Sequence, residues 1–292
     1  MPKIAIIANE RSGGTVCAAW LKKAEGGMTD YSIYRIGEHS IDEIIREAHQ
    51  AGCRTIVAAG GDGTISSVAG AIVRSGLDLR LAVLPLGTFN HFAKDLGIPL
   101  DPTAALEIAK SGETRMIDVA RVNGVIFINN SSIGAYPLAI RERDAYVERG
   151  WRKIPATVIT FLRMLRTPSP IALAIEKESG RVEKHTPFVL IGNNRYSLSG
   201  FSLGARARLD EGTLFIAFVQ ASARLSIARL LYKALLDRAL EEKELDVIGL
   251  RSCSIETKPR RIHVSHDGEV SYLTSPLQYE IMPRTLAVAS PK

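Results

Sequence analysis

The chain has 292 residues, of which 46% are hydrophobic and 23% charged. At about 100–200 residues per domain this suits two domains with real cores, and it excludes a disordered or collagen-like protein. Lys and Arg number 37 against 31 Asp and Glu, and the resulting +6 suits an anionic substrate or surface without requiring nucleic acid.

Lys3-Ile4-Ala5-Ile6-Ile7-Ala8 reads as a buried first strand. It is too short for a signal-peptide core and runs into Asn9-Glu10-Arg11 instead of a small-residue cleavage site. Further strands are predicted at 31–35, 55–59, 81–84 and 115–119, with helical patterns between them, the signature of βαβ units on a parallel sheet. One helix starts at Ser40, with Glu43 at capping-box spacing ahead of Ile44, Ile45 and Ala48. Another starts at Asp101-Pro102, a capping carboxylate followed by the tolerated first-turn proline.

Beyond residue 121 the pattern changes to strands with fewer helices, at 125–129, 171–176, 186–193, 213–219, 252–257, 261–264 and 277–282, interrupted by an amphipathic helix over 223–242. This half reads as mostly antiparallel β. The boundary falls at 121–125, giving an α/β domain over 1–121, which the segment 277–292 can complete, and a β-rich domain over 122–276. The segment 141–166 interleaves arginines with Trp151, Ile154 and Phe161, an amphipathic pattern that suits a surface helix or contact with a membrane. Apolar runs such as 81–86 and 188–191 fall far short of the roughly 18–20 residues that span a bilayer, so no transmembrane helix is expected. Cys17, Cys53 and Cys253 are odd in number and widely spaced, which gives no disulfide framework or metal knuckle and suits a reducing cytoplasm.

The densest chemical signal is Gly60-Gly61-Asp62-Gly63-Thr64, after the strand at 55–59 and before a helix. Ligands of open α/β sheets bind beyond the carboxyl ends of strands, and glycines there let backbone N–H groups approach phosphate oxygens at a helix N-terminus. A carboxylate in that loop makes sense with a metal ion, or with a hydroxyl to orient. Taken alone, the loop also reads as a plain Gly-Asp-Gly turn. No Gly-Lys dipeptide occurs, which excludes a P-loop, and the spacing misses the dinucleotide fingerprint. A second loop of the same construction follows the next strand, Pro85-Leu86-Gly87-Thr88-Phe89-Asn90-His91-Phe92-Ala93-Lys94, in which Asn90 suits an N-cap and Lys94 is placed to reach a phosphate. Asp267-Gly268 reads as a hairpin turn. His263 and His266 lack cysteine partners and do not suggest zinc, and no Gly-x-Ser-x-Gly elbow occurs.

These two loops, in this order, resemble the diacylglycerol kinase catalytic-domain family of lipid kinases, which includes sphingosine and ceramide kinases and shares its first-domain fold with NAD kinases. The likeness extends to Asn9 with Ser12-Gly13, to Ile117-Asp118-Val119, to Glu211-Gly212 and to Asp267-Gly268-Glu269. The resemblance implies an ATP- and Mg²⁺-dependent kinase acting on a lipid hydroxyl, with ATP bound by Asn9, Arg35, Gly60, Gly61, Asp62, Gly63, Thr64, Ser66 and Thr88. It implies Glu269 as general base and Asp62 as the anchor of phosphate and metal geometry, with Asn90, Lys94 and Asp267 in positioning roles. Metal ligation would fall on Asp62 and Asp118 and on a segment carrying Arg208, Glu211 and Thr213. The lipid is expected between the two domains, on a protein that is cytoplasmic and makes transient contact with a membrane surface; a homodimer is compatible. His91 and Glu211 stand where the family commonly has aspartates, and Ile65-Ser66 where it often has Asn-Glu. A soluble-substrate kinase of the NAD-kinase kind and a non-catalytic nucleotide- or lipid-binding protein are the alternatives.

Overall fold

The computed structural model describes residues 3–9, 20, 31–37, 39–151, 155–156, 159–160, 163, 170–177, 180–197, 205–219 and 245–292. The expected helix over 223–242, Cys17, the Ser12-Gly13 pair and much of the basic segment beyond Trp151 lie outside the described residues. The chain divides into two compact units, Met1–Val119 with Pro283–Lys292, and Ala120–Met282.

The first unit is an α/β layer. Its strands are β1 (Lys3–Ala8), β2 (Tyr31–Arg35), β3 (Cys53–Gly60), β4 (Arg80–Pro85), the first part of β5 (Glu113–Val122) and the last part of β16 (Leu277–Ser290). The order β2-β1-β3-β4-β16 is parallel throughout. β3 and β4 are buried along almost their whole length, as strands covered on both faces must be, which is why they read as continuous apolar runs. Helices α1 (Ile41–Gln50), α2 (Asp62–Ser75), α3 (His91–Asp95) and α4 (Pro102–Ser111) connect them. α1 begins with the expected capping box: the Ser40 hydroxyl accepts from the Glu43 N–H, and the Glu43 carboxylate accepts from the Ser40 N–H. α4 begins with Asp101 accepting from the Ala104 N–H at 2.9 Å.

The second unit is an antiparallel sandwich. One sheet has the order β12 (Leu245–Leu250), β11 (Leu214–Val219), β10 (Phe188–Asn193), β7 (Asn130–Gly134), β14 (Arg261–His266), β15 (Glu269–Thr274). The other joins the first part of β16 to β13 (Ser252–Lys258), β8 (Ile171–Lys177) and β9 (Gly180–Thr186), and β5 pairs with both β16 and β6 (Val125–Phe127). Ile133, Val189, Ile216 and Val264 from the first sheet meet Val122, Ile175, Ile255 and Tyr279 from the second in one apolar core. Helix α5 (Ala135–Glu148) packs beside β7 and β14.

Strands β7, β9, β12 and β15 go beyond the sequence expectation. β7 is the instructive case, because Asn130-Ser131-Ser132 has no strand-forming composition. Its two serines are buried and held by side chains from distant strands: Ser131 shares a hydrogen bond with the Tyr279 hydroxyl at 3.0 Å, and Ser132 with Ser265 at 2.7 Å. The strand expected at 277–282 continues to Ser290, crossing from the second unit into the first.

Two outcomes are expected from this packing. Tyr279→Phe leaves the buried Ser131 hydroxyl without its partner and should lower the unfolding free energy by about 1–3 kcal/mol in denaturant titration. His263 receives Arg141 Nη1 at 2.6 Å, and burial together with the Arg141 charge holds its pKa below the ordinary 6.5. The unfolded state therefore takes up this proton first as pH falls, so stability should decline from about pH 6.5 downward, and His263→Gln should weaken that decline in melts run across the range.

Candidate functional site

The strand order places the switch point of the first unit between β1 and β3, whose outgoing connections leave in opposite directions. A crevice at the carboxyl ends of two such strands is where open α/β sheets bind ligands. Asn9 ends β1 there, and its side chain donates to the Thr64 hydroxyl at 3.4 Å while its N–H donates to the Ala59 carbonyl at 3.3 Å. Arg35 closes β2 in register with Ala8, on the other side of β1.

The two glycine loops pack backbone to backbone. Leu86 N–H donates to the Gly60 carbonyl at 2.9 Å, and a Cβ built on Gly87 would stand 2.5 Å from the Gly61 Cα. A Cβ on Gly60 would stand 2.6 Å from the Thr64 hydroxyl oxygen. Both positions are therefore closed to any side chain without movement of backbone or of a buried threonine. Gly61 is the N-cap of α2 and supplies no side-chain cap, so the first turn of a 14-residue helix offers its N–H groups and positive dipole end to an anion.

Asp62 is the first residue of α2, and its Oδ1 accepts from the Phe92 N–H at 3.2 Å. The carboxylate thus ties the start of α3 to the start of α2. Asn90 occupies the N-cap position of α3 but does not cap it, which corrects the sequence reading. It sits at φ 52°, and its side chain accepts from the Gly87 N–H at 3.0 Å and donates to the Gly87 carbonyl at 2.9 Å. A left-handed Asn that bonds its own loop is the type of residue this conformation favours. Thr88 on the same loop and His91 and Lys94 on α3 are exposed, and Ser66 is half-buried in the first turns of α2. Phe89, 52% exposed, stacks on His91 at 5.7 Å.

Asp118 is fully buried on β5, where its Oδ1 accepts from the Arg284 N–H at 2.8 Å. In the second unit the segment carrying Arg208, Glu211 and Thr213 is organised by Asn194, a buried residue at φ 69°. Its Oδ1 accepts from the N–H groups of Glu211 and Thr213, at 3.1 and 3.4 Å. The Glu211 carboxylate accepts from the Arg195 N–H at 3.2 Å, and the Arg208 side chain pairs with Asp210. Among the described residues no three His, Cys, Asp or Glu side chains gather as a metal site. The metal candidates Asp62 and Asp118 belong to the first unit, and Arg208, Glu211 and Thr213 to the second.

Glu269 is exposed and opens β15, paired with His266 across a two-residue hairpin turn. Asp267 at φ 48° and Gly268 at φ 87° are both left-handed, the type I′ geometry that Asp-Gly favours. Asp267 does more than turn the chain. One of its oxygens accepts from Ile128 N–H at 2.7 Å and the other from the N–H groups of Asn129 and Asn130, at 2.8 and 3.1 Å. This anchoring, and the role of Asn194, were not legible in the sequence, since their partners stand well over a hundred and some twenty residues away respectively.

The diacylglycerol kinase catalytic domain matches residues 3–122, and the YegS C-terminal NAD kinase beta sandwich-like domain matches residues 148–290. Residues 3–122 are thus similar to a diacylglycerol kinase catalytic domain and residues 148–290 to a YegS-type sandwich, in that order along the chain. Among its relatives, the "Probable lipid kinase YegS-like" of Pseudomonas aeruginosa is 35% identical over 179 residues, 60% of this chain and 58% of that protein. The "Probable lipid kinase YegS" of Escherichia coli O9:H4 is 30% identical over 192 residues, 65% of this chain and 64% of that protein. The chain thus spans a little under two thirds of the length of the curated relatives it matches. A crystal structure from Bacillus anthracis str. Sterne superposes with a TM-score of 0.79 at 24% identity, covering 99% of this chain and 95% of that one, which establishes the shared fold.

The glycine contacts separate two substitutions of the same kind. Gly87→Ala should destabilise the protein by about 1–3 kcal/mol, because the added methyl meets the Gly61 backbone and the Asn90 side chain. Gly63→Ala, with nothing within 4 Å of its Cβ, should be neutral or stabilising by up to about 1 kcal/mol. Paired denaturant midpoints measure the contrast.

Proposed function

We propose that the protein is an ATP- and Mg²⁺-dependent lipid kinase that transfers the γ-phosphate to a lipid hydroxyl. The observation that carries this reading is the packing of the two glycine loops at the carboxyl ends of β3 and β4, next to the switch point of the first unit, with Asp62 at the start of a helix that has no side-chain cap. The two loops pack so closely that a Cβ at Gly60 would strike Thr64 and one at Gly87 the Gly61 backbone, so only backbone can be presented at this junction, as a phosphate site requires. The match of residues 3–122 to a diacylglycerol kinase catalytic domain and relatives named as probable lipid kinases support the same reading.

In this reading the N–H groups at the head of α2 hold the phosphates, with the Thr64 hydroxyl oriented by Asn9, and with Ser66, Thr88 and Lys94 on the surrounding surface. Arg35 adds positive charge at the neighbouring strand end. Asp62 supplies the protein carboxylate for Mg²⁺, an ion that commonly takes one or two carboxylates along with the substrate's own phosphates. Bound Mg-ATP supplies a phosphoryl group whose charge the metal offsets. Glu269 accepts the proton of the lipid hydroxyl, and a single exposed carboxylate suffices because phosphoryl transfer is chiefly positioning and charge stabilisation. Among the described residues no helix is long and apolar enough to cross a membrane. Access to a lipid then requires contact from one side, for which exposed Leu138, Val147 and Trp151 beside Arg141 and Arg149 are suited.

The test is γ-labelled ATP with Mg²⁺ and a total lipid extract in mixed micelles, run on the wild type, Asp62→Asn and Glu269→Gln. A labelled lipid is expected with the wild type and should fall by at least about 100-fold in both variants, with ATP binding kept in Glu269→Gln. Unchanged turnover in Glu269→Gln would remove Glu269 from the mechanism. ATP binding with no labelled lipid would favour a soluble-substrate kinase or a non-catalytic binding protein.

A further inference from the structure

The second unit contains a buried arginine that the reaction, as described so far, does not use. Arg206 is 3% exposed in a loop of no regular structure. Its Nη1 donates to the Ile128 carbonyl at 2.6 Å and to the Asn193 carbonyl at 3.1 Å, its Nη2 donates to the Asn129 side-chain oxygen at 2.7 Å, and its guanidinium lies 5.5 Å from the centre of the Tyr196 ring. A guanidinium buried this deeply is costly to desolvate unless its surroundings answer it. Here they do so largely with backbone oxygens drawn from one short segment, Ile128 to Asn129, and its neighbour Asn193.

That segment is the one Asp267 holds from its other side. The peptide group between Ile128 and Asn129 presents its oxygen to Arg206 and its N–H to Asp267 Oδ1 at 2.8 Å. A positive and a negative charge therefore face opposite ends of a single peptide dipole, and each polarises the bond toward the other. Asn193 closes the arrangement, donating from its side chain to the Ile128 carbonyl and from its N–H to the Asn129 carbonyl, both at 2.9 Å. Asp267 in turn fixes the left-handed turn that ends in Glu269.

We propose that Arg206 is a positioning residue for Glu269, acting through the Ile128–Asn129 peptide and the Asp267 carboxylate. Its role runs through these protein groups: it sets how firmly the hairpin turn is held. This rests on Glu269 being the base, so one arm of the test reads the turn itself and the other reads turnover.

The first arm is amide hydrogen exchange on the full chain. Arg206→Gln should raise exchange at Ile128, Asn129 and Asn130 by at least about tenfold, as Asp267→Asn should, and the double variant should add little to either, because the two side chains hold one peptide. The second arm is kinetics on the lipid substrate. Arg206→Gln should lower kcat by about 10- to 100-fold at unchanged KM for ATP, the scale expected of a small misplacement of a reacting group, and Arg206→Lys should recover part of it. Should Arg206→Gln fail to fold, Arg206→Lys and Asn129→Ala carry both arms at smaller amplitude. Unchanged protection at 128–130 in folded variants would overturn the proposal whether or not the protein is a kinase. Raised exchange with unchanged kcat would also overturn it, since the clamp would then be structural only. If the wild type labels no lipid, the kinase reading fails by itself and the exchange arm still decides whether Arg206 governs the turn.

Discussion

The first unit is organised by one close approach of backbone to backbone, Gly61 against Gly87. Parallel strands β3 and β4 bring their carboxyl ends side by side, and the loops that follow must then share a space too narrow for side chains. Glycine at 60 and 87 is the residue type that allows this without movement of the neighbours, and the N–H of Leu86 on the Gly60 carbonyl closes the contact. The polar side chains then follow: Asn90 bonds Gly87 from a left-handed conformation, Asp62 reaches the Phe92 N–H and so joins the starts of α2 and α3, and Asn9 meets Thr64 from the adjacent strand. The start of α2, which has no side-chain cap, then stands at this end with the positive end of its dipole.

The second unit uses a different device. Its sandwich core is apolar, but at one end of the six-stranded sheet a group of polar side chains replaces regular pairing: Asp267 gathers three amides, Asn194 two, and Arg206 three oxygens. Left-handed Asp267 and Asn194 are strained positions for residues with a Cβ, and both are held by side-chain bonds to backbone distant in sequence. Such satisfied networks rigidify a turn as an apolar core cannot, because the bonds are directional and leaving any one unmade inside the protein is costly. The exposed carboxylate of Glu269 follows directly on the turn that Asp267 anchors.

How much of this was legible in the sequence varies with the range of the interaction. The strand–glycine–helix spacing around Gly60 to Thr64, the capping box at Ser40 and the Asp-Gly turn at 267–268 are local, and all three read correctly as local structure. Asn90 was legible as a loop residue but not as the clamp of Gly87, since an N-cap and a left-handed Asn look alike in composition. β7 was missed because buried serines read as polar loop until their partners on β14 and β16 are known. Arg206 and Arg208 stand two residues apart in one short loop, one buried and the other exposed, and nothing local separates them.

The sequence alone determined the architecture, a parallel α/β layer joined to an antiparallel β unit, and located the glycine loops and the Asp-Gly-Glu turn, because hydrophobic periodicity and turn chemistry act over a few residues. Only the tertiary structure decided which carboxylates stay exposed and which become internal fasteners. Asp62, Asp118 and Asp267 are equivalent as text, yet Asp118 is sealed against the Arg284 N–H and Asp267 against Ile128 to Asn130, while Glu269 beside it remains open. The difference is set by backbone N–H groups brought from far along the chain, and a buried amide without an acceptor costs enough that the nearest carboxylate is drawn to it.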